Sequence, residues 1–235
     1  MMDPYVYEGS NVLINKFGIS DEQELIEVEA QLFIANALDL FSVTQQINFR
    51  TYDSLQFIHR FLFKELYTWA GQFRTVNIYK SEQVLGGPSI SYSDTEKIIY
   101  DLKNIFEWAN DVRWDQKEAR LTENFATFMT KIWRVHPFRE GNTRTVSVFM
   151  SLFAEANKLK FNGEILSQHP GYLRKALVLS AVEEAPEPEY LLKMLKDALN
   201  RATLGEKNDG KSSSKYKVIK QYDVSNYKQK PFETE

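Results

Sequence analysis

Residues 136–145, HPFREGNTRT, gather a histidine, a carboxylate, a glycine–asparagine step and an arginine. Proline at 137 disfavours helix at the residue before it, so a helix arriving from the N-terminal side must stop near Val135. Gly141 permits a backbone turn that other residues resist, and Asn142 is a good N-cap for a following helix. The unit therefore reads as helix, tight loop, helix. The second helix offers unpaired N–H groups and the positive end of its dipole to the loop, which makes an anion site. Arg144 adds a donor fork suited to phosphate oxygens. Glu140 opposes an anion by itself, but it fits a hard cation such as Mg²⁺ that bridges carboxylate and phosphate. His136 stands at the mouth of the loop, where a neutral imidazole takes a proton from an incoming hydroxyl. Base, metal ligand, anion cradle and cation together make a phosphoryl- or nucleotidyl-transfer site.

Two other readings use the same residues. His136 and Glu140 have the spacing of zinc ligands on a helix, but Pro137 and Gly141 break the helix that would stack them. A structural corner with a hydrogen-bonded histidine is the plainer alternative, and residue types alone leave it open.

The elements that must position this loop are mostly helical. Asp21 to Phe41 carries Leu25, Val28, Leu32, Ala35 and Leu38 at three- and four-residue steps, with Ser20 as the expected N-cap. Ser54 to Ala70 repeats the pattern and is expected to stop at Gly71. FRTVNIY (73–79) and SISYS (89–93) flank Gly-Gly-Pro and read as a β-hairpin. Helices are expected over 94–112, 118–135, 142–159, 170–183 and 188–202. The stretch 203–217 is polar with Gly and Ser and reads as a linker, and the last segment carries apolar residues that fit a docked strand. The expected organisation is all-α: an N-terminal helical extension over 1–49, a core domain over 50–203, and a linker and tail over 204–235.

With 235 residues, 43% of them hydrophobic, the chain is long enough to bury one real core. A net charge of −3 gives no reason to expect nucleic acid as a partner. The absence of cysteine excludes disulfides, thiolate catalysis and Cys-ligated zinc, and points to a reducing compartment. The N-terminus lacks a signal-peptide layout, and no uncharged apolar run approaches the ~20 residues needed to span a bilayer. The expected location is cytoplasmic.

His136, Phe138, Glu140, Gly141, Asn142 and Arg144 match, in order and spacing, the signature His-x-Phe-x-Asp/Glu-Gly-Asn-Gly/Lys-Arg-x-x-Arg. The chain thus resembles the Fic family (Fic/Doc-type adenylyltransferases). The segment LFKELYTWAGQFRTVNI (62–78) resembles the family's approach to its flap, and YVYEGSNVLINKFGI (5–19) resembles N-terminal segments of some members. The resemblance implies an all-helical core with a β-hairpin flap, and transfer of AMP from ATP to a Tyr, Thr or Ser hydroxyl of a target protein. By that resemblance His136 is the general base and Glu140 ligates Mg²⁺ on the phosphates. Gly141, Asn142 and Thr143 lie along the phosphate cradle, and Arg144 neutralises the leaving pyrophosphate. The flap residues Ile78, Tyr79, Lys80, Ser81, Ser89, Ile90 and Ser91 would pair with the target's backbone, a form of strand addition.

Two positions depart from the signature. Thr143 replaces Gly or Lys, and Ser147 stands where the second arginine belongs. That arginine contacts the γ-phosphate in the family and pairs with an inhibitory glutamate. A serine supplies no charge-assisted bidentate contact. A catalytically weak regulatory module of the same fold, and a transferase using another nucleotide or phosphate-containing donor, are the alternatives this raises. The family's inhibitory pattern is matched in part by SDEQEL (20–25), which nominates Ser20 and Glu24, and equally by SAVEEA (180–185). A small antitoxin-like protein acting in trans is the other arrangement. Arg74 and Asn77 are candidates to brace the loop, with strand-surface positions the default. His59 and His169 read as structural.

Overall fold

The computed structural model describes residues 3–87 and 89–201, so the expected linker and tail over 204–235 lie outside the described residues. Eight α-helices make up the described chain: α1 (Glu22–Leu40), α2 (Asp53–Phe63), α3 (Ile98–Asp111), α4 (Leu121–Val135), α5 (Asn142–Ala156), α6 (Glu164–Gln168), α7 (Pro170–Ala181) and α8 (Glu189–Arg201). Among the described residues, no helix is long and apolar enough to cross a membrane.

α4 and α5 form the centre. α4 turns Leu121, Phe125, Phe128, Met129, Ile132 and Trp133 inward at helical spacing, and packs against α3, α5, α7 and α8. α5 is apolar or small on nearly every face and is buried along almost its whole length, from Asn142 to Ala154. Phe128, Phe149 and Phe153 interlock with Trp114 and Phe106, with ring centroids 5.0–5.8 Å apart across α3, α4 and α5. Such aromatic contacts, most of them edge-to-face, add about 0.5–1.5 kcal/mol each beyond simple burial. α1 and α2 pack against each other, and α2 packs on α5, so the N-terminal third shares the same core.

Several expected boundaries are corrected. α1 is capped by Asp21, whose Oδ1 accepts from the Glu24 N–H at 2.8 Å, and not by Ser20. α2 ends at Phe63, well before Gly71. There the chain is drawn out by the N-terminal arch, where the Lys16 N–H donates to Leu66 O and the Lys16 ammonium reaches Lys64 O. Gly71 (φ 81°) instead closes a later turn, and a Cβ there would sit 2.6 Å from Arg60 Cβ. The N-terminal extension is not helical throughout: residues 3–19 form an arch with a single antiparallel bridge, Val6 to Leu13.

The expected β-hairpin over 73–93 folds back on itself but carries no strand ladder among its described residues. Its polar groups are satisfied locally instead. The Lys80 N–H donates to Ser89 Oγ, Ser81 Oγ donates to Gly87 O, and the Leu85 and Gly87 N–H groups both donate to Glu82 O. We call this segment the flap loop. Along it Ile78, Lys80 and Glu82 turn inward, while Tyr79 and Ser81 turn outward. This is the alternation of extended backbone, with a bridge at Tyr79 but no ladder among the described residues.

Candidate active site

The loop 136–141 is held from four sides before any ligand is considered. α4 ends at His136, which takes the left-handed conformation (φ 49°) of a helix C-cap, and proline at 137 disfavours continuing the helix. Arg74, buried at 3% exposure, donates from Nε to His136 O at 2.9 Å and from Nη1 to Val76 O, and its N–H donates to Pro137 O. It also reaches Ser93 O, so one guanidinium ties the loop to both ends of the flap loop. Arg74 is thus a brace and not a strand-surface residue, whereas Asn77 accepts the Thr95 N–H and ties the flap segment to the start of the next helical stretch.

His59 supports the loop from below. Its Nδ1 accepts the Gly71 N–H at 2.8 Å, which leaves the proton on Nε2 to be donated to Glu140 O at 3.0 Å. The ring stacks on Phe138 at 3.9 Å between centroids. Burial pushes its pKa down to about 3, so it is neutral and structural, as its sequence context implied. Arg139 forms a buried pair with Asp3, its Nε and Nη2 both donating to Oδ2, which fastens the N-terminal arch to the loop.

Asn142 does not cap α5. Gly141 occupies the N-cap position with φ 77°, and a Cβ there would lie 2.6 Å from the Phe63 ring. The Asn142 side chain instead clamps Phe138, accepting its N–H at 2.9 Å and donating to its O at 2.7 Å. Thr143 Oγ1 accepts from the Trp133 indole at 2.9 Å, so the departure from Gly or Lys is used to join α4 to α5. Ser147 is buried on α5, one turn beyond Thr143.

His136 is not at an open mouth. It is 2% exposed, because the Tyr92 ring lies over it at 4.2 Å between centroids and Trp133 meets it edge-on. Its Nδ1 lies 3.2 Å from Trp133 O, and since a carbonyl can only accept, Nδ1 carries the proton and Nε2 is the basic nitrogen. Burial, with the positive charges of Arg174, Lys80 and Arg74, holds its pKa well below the ordinary histidine value. Tyr92 also donates its hydroxyl to Glu82, whose carboxylate pairs with Arg174 of α7 at 2.5 Å.

Glu140 is half-buried. Its Oε1 accepts the Gly141 N–H at 2.9 Å and lies 3.5 Å from Arg144 Nη2. Burial works against its charge, but Arg144, Lys80, the Gly141 N–H and Arg139 outweigh burial and hold the carboxyl below its usual range. Arg144 itself lies over the Phe63 ring and pairs with Glu29 of α1, which also accepts the Tyr67 hydroxyl. Glu29, buried at 8% exposure, is the residue sequence reasoning missed. The nominated Glu24 and Ser20 are exposed at the start of the same helix, away from the loop. A signal for Glu29 did exist, as an acid set on the apolar, inward face of an otherwise amphipathic helix. Of the SAVEEA stretch, Glu183 pairs with Arg134 at the surface. Ile78, Lys80 and Ile90 of the nominated flap residues are buried beside the site, whereas Tyr79, Ser81 and Ser91 face outward and Ser89 is half-buried.

Fold and site together define an all-α protein in which one loop sets a neutral imidazole and a carboxylate at the start of a buried helix. The model of the Fic/DOC family matches residues 49–154. A probable protein adenylyltransferase of Sinorhizobium fredii is 33% identical over 152 residues, spanning 64% of this chain and 74% of that protein. Among solved structures, the BepC protein of Bartonella tribocorum with bound AMPPNP superposes with a TM-score of 0.65 at 21% identity, over 83% of this chain and 95% of that one. The N-terminal Fic domain of a Bartonella quintana effector with bound ADP gives 0.67 at 22% identity, over 85% and 97%. The chain belongs to the Fic/DOC family.

Proposed function

We propose that this protein is a protein adenylyltransferase that moves AMP from ATP to a Tyr, Thr or Ser hydroxyl of a target protein. The observation that carries the reading is one loop that holds both a neutral His136, basic at Nε2, and Glu140, which directly precedes the N-cap of α5. Its relatives named protein adenylyltransferases, and its structural neighbours holding AMPPNP and ADP, support it.

The α5 N–H groups that precede the first intrahelical bond, Thr145 to Gly141 O, are the cradle for phosphate oxygens. The target hydroxyl attacks the α-phosphorus and passes its proton to His136 Nε2, while the bond to the pyrophosphate oxygen breaks and pyrophosphate departs. Arg144 faces the departing charge. Among the described residues no group of three or more His, Cys, Asp or Glu side chains is placed to hold a metal. A lone, charged Glu140 suits Mg²⁺, which takes one or two carboxylates and fills its other positions with water and substrate phosphate. When bound, the ion would neutralise phosphate charge; the residue that would hold it is Glu140. Tyr92 must move aside for the hydroxyl to reach His136, so target entry and flap-loop opening are one event. The outward backbone of the flap loop is the part able to pair with a target strand.

Glu29 competes with phosphate for Arg144, so inhibition acts in cis from α1 at Glu29 and not at Glu24. That pair, together with Ser147, favours a second reading, a quiescent module of the same fold. Incubation with labelled ATP, CTP, GTP or UTP plus Mg²⁺ and a cell lysate separates the readings. Adenylyl label that disappears in His136→Ala is the expected result. Label from another nucleotide reassigns the donor, and silence with all four, in wild type and in Glu29→Gln, leaves the quiescent module.

A further inference from the structure

Position 143 is one of the two places where the chain leaves the signature, holding threonine where glycine or lysine is usual. Its hydroxyl is committed to α4: Oγ1 accepts the Trp133 indole N–H at 2.9 Å. Both side chains are buried, Trp133 completely. An indole N–H can only donate, so a buried tryptophan needs an acceptor. Neither usual residue supplies one, since glycine has no side chain and a lysine ammonium only donates. Threonine is thus matched to a tryptophan three residues before His136.

Trp133 frames the base. Its carbonyl accepts the His136 backbone N–H at 3.1 Å and the Nδ1 proton at 3.2 Å. Its ring meets the imidazole edge-on, with centroids 5.4 Å apart and planes at 86°. The same ring meets Tyr92, which covers the base, at 5.9 Å and 74°. An indole turned about its side-chain bond would lose its edge against His136 and its contact with Tyr92 together. The hydrogen bond at Nε1 fixes that rotation. Thr143, which accepts it, lies in the first turn of α5, two residues after the Gly141 N-cap. One bond therefore ties the helix end that offers N–H groups to phosphate to the residue that holds the base.

Resting on the nucleotidyl-transfer reading above, we infer that Thr143 is a positioning residue for the general base, acting through Trp133 and not through a side-chain contact with phosphate. It sets the direction of His136 Nε2 relative to the α5 N-terminus, and so the separation between the base and the phosphorus under attack. Reacting groups must be held to within about 0.5 Å by side chains whose own rotamers are locked by packing and hydrogen bonds. Thr143 and Trp133 form no bond to substrate and move no proton. The target hydroxyl still gives its proton to Nε2, while Nδ1 keeps its own proton against the Trp133 carbonyl. The departure at position 143 then belongs to the base side of the site, although its backbone stands on the phosphate side.

The test uses the full chain, α-labelled ATP, Mg²⁺ and lysate proteins, in the Glu29→Gln background and in wild type. Thr143→Val removes the acceptor, Trp133→Phe removes the donor, the double variant removes both, and Thr143→Ser keeps the hydroxyl. Each is compared for transfer rate at saturating ATP, KM for ATP, AMPPNP affinity, melting temperature and the NMR shifts of the His136 ring, which sense the neighbouring aromatic rings. The expected result is a fall in kcat of about 10- to 100-fold for Thr143→Val and for Trp133→Phe, the scale of a small misplacement of reacting groups. KM for ATP and AMPPNP affinity should change little. The double variant should fall no further than the lower single one, because one bond is lost in all three. Thr143→Ser should recover most of the rate and the parental His136 shifts, whereas Thr143→Val should move those shifts. His136-dependent labelling near the parental rate in both Thr143→Val and Trp133→Phe overturns the proposal alone. So do losses that multiply in the double variant, and a loss in Thr143→Val that lies in KM for ATP or AMPPNP affinity, which would return the side chain to the phosphate cradle. A rate that tracks melting temperature, with His136 shifts unmoved and no recovery in Thr143→Ser, also overturns it, because the bond is then only packing. Absence of any His136-dependent label in the parent proteins overturns it together with the reading on which it rests.

Discussion

The Glu29–Arg144 pair sets stability and activity against each other, and Glu29→Gln should separate them. Both side chains are buried, at 10% and 4% side-chain exposure. Removing one partner of such a pair costs about 3–5 kcal/mol when the other is left with nothing. Here Arg144 keeps Glu140 at 3.5 Å and the Phe63 ring 4.9 Å below it. Glutamine also still accepts the Tyr67 hydroxyl that Glu29 accepts now. The loss should therefore be smaller, about 2 kcal/mol. At 2–4 °C per kcal/mol for a chain of this size, the melting midpoint should fall by about 4–8 °C. The same ~2 kcal/mol is what phosphate must overcome to claim Arg144, and at 1.4 kcal/mol per tenfold its release should strengthen AMPPNP binding or raise AMP transfer by about 30-fold. The assay is calorimetry with and without AMPPNP, alongside label incorporation from α-labelled ATP. A lower midpoint with unchanged affinity and unchanged label would refute the competition and leave the pair a purely structural one. Glu24→Gly, exposed at the helix start, should change labelling little, and a many-fold rise there would move inhibition back to that residue.

Other predictions follow from the same geometry. His136 is held neutral well below its ordinary pKa, and only the neutral form accepts a proton. The acid limb of kcat/KM should therefore lie below pH 6.5, and a limb at or above 6.5 would contradict the assigned environment. His59 stays neutral down to about pH 3 when folded but titrates near 6.5 when unfolded, so the unfolded chain binds the extra proton between those values. Stability should fall as pH drops from 6.5 towards 3. His59→Gln should flatten that slope by up to about 1.4 kcal/mol per pH unit, measured by denaturant melts across the range. Gly141→Ala must place a Cβ 2.6 Å from the Phe63 ring at φ 77°. It should cost about 2–4 kcal/mol from left-handed strain and overpacking, and abolish AMPPNP binding; unchanged melting would show that the turn relaxes freely.

How much of this was legible depends on range. The loop's order of groups, the stop at Val135 and the turn at Gly141 follow from neighbours in the chain, and the structure has them as expected. α1, α4 and α5 were readable because apolar spacing and local breakers agree there. What failed depended on partners distant in sequence. The Asn142 side chain was needed by Phe138, so the cap passed to Gly141. The β-branched run at 73–79 has strand propensity, and Tyr79 makes a bridge there, but just past it Lys80 and Glu82 turn inward and Glu82 pairs with Arg174 of α7, so no ladder extends among the described residues. Glu29 stood out as an acid on the inward face of α1, but its partner lies 115 residues away, so the sequence did not say what it pairs with. His136 reads the same whether it is covered or open, and only the placement of Tyr92 decides it.

The carboxylates that hold the arginines come from three separate parts of the chain: Asp3 near the start, Glu29 on α1 and Glu82 on the flap loop. Two of the three precede residue 49, where the family match begins. A fragment trimmed to the family boundaries would keep every signature residue yet remove Asp3 from Arg139 and Glu29 from Arg144, leaving Arg144 the longer contact to Glu140. Its labelling, whether stronger or weaker, would describe a differently charged pocket, so trimmed and full-length preparations are not interchangeable.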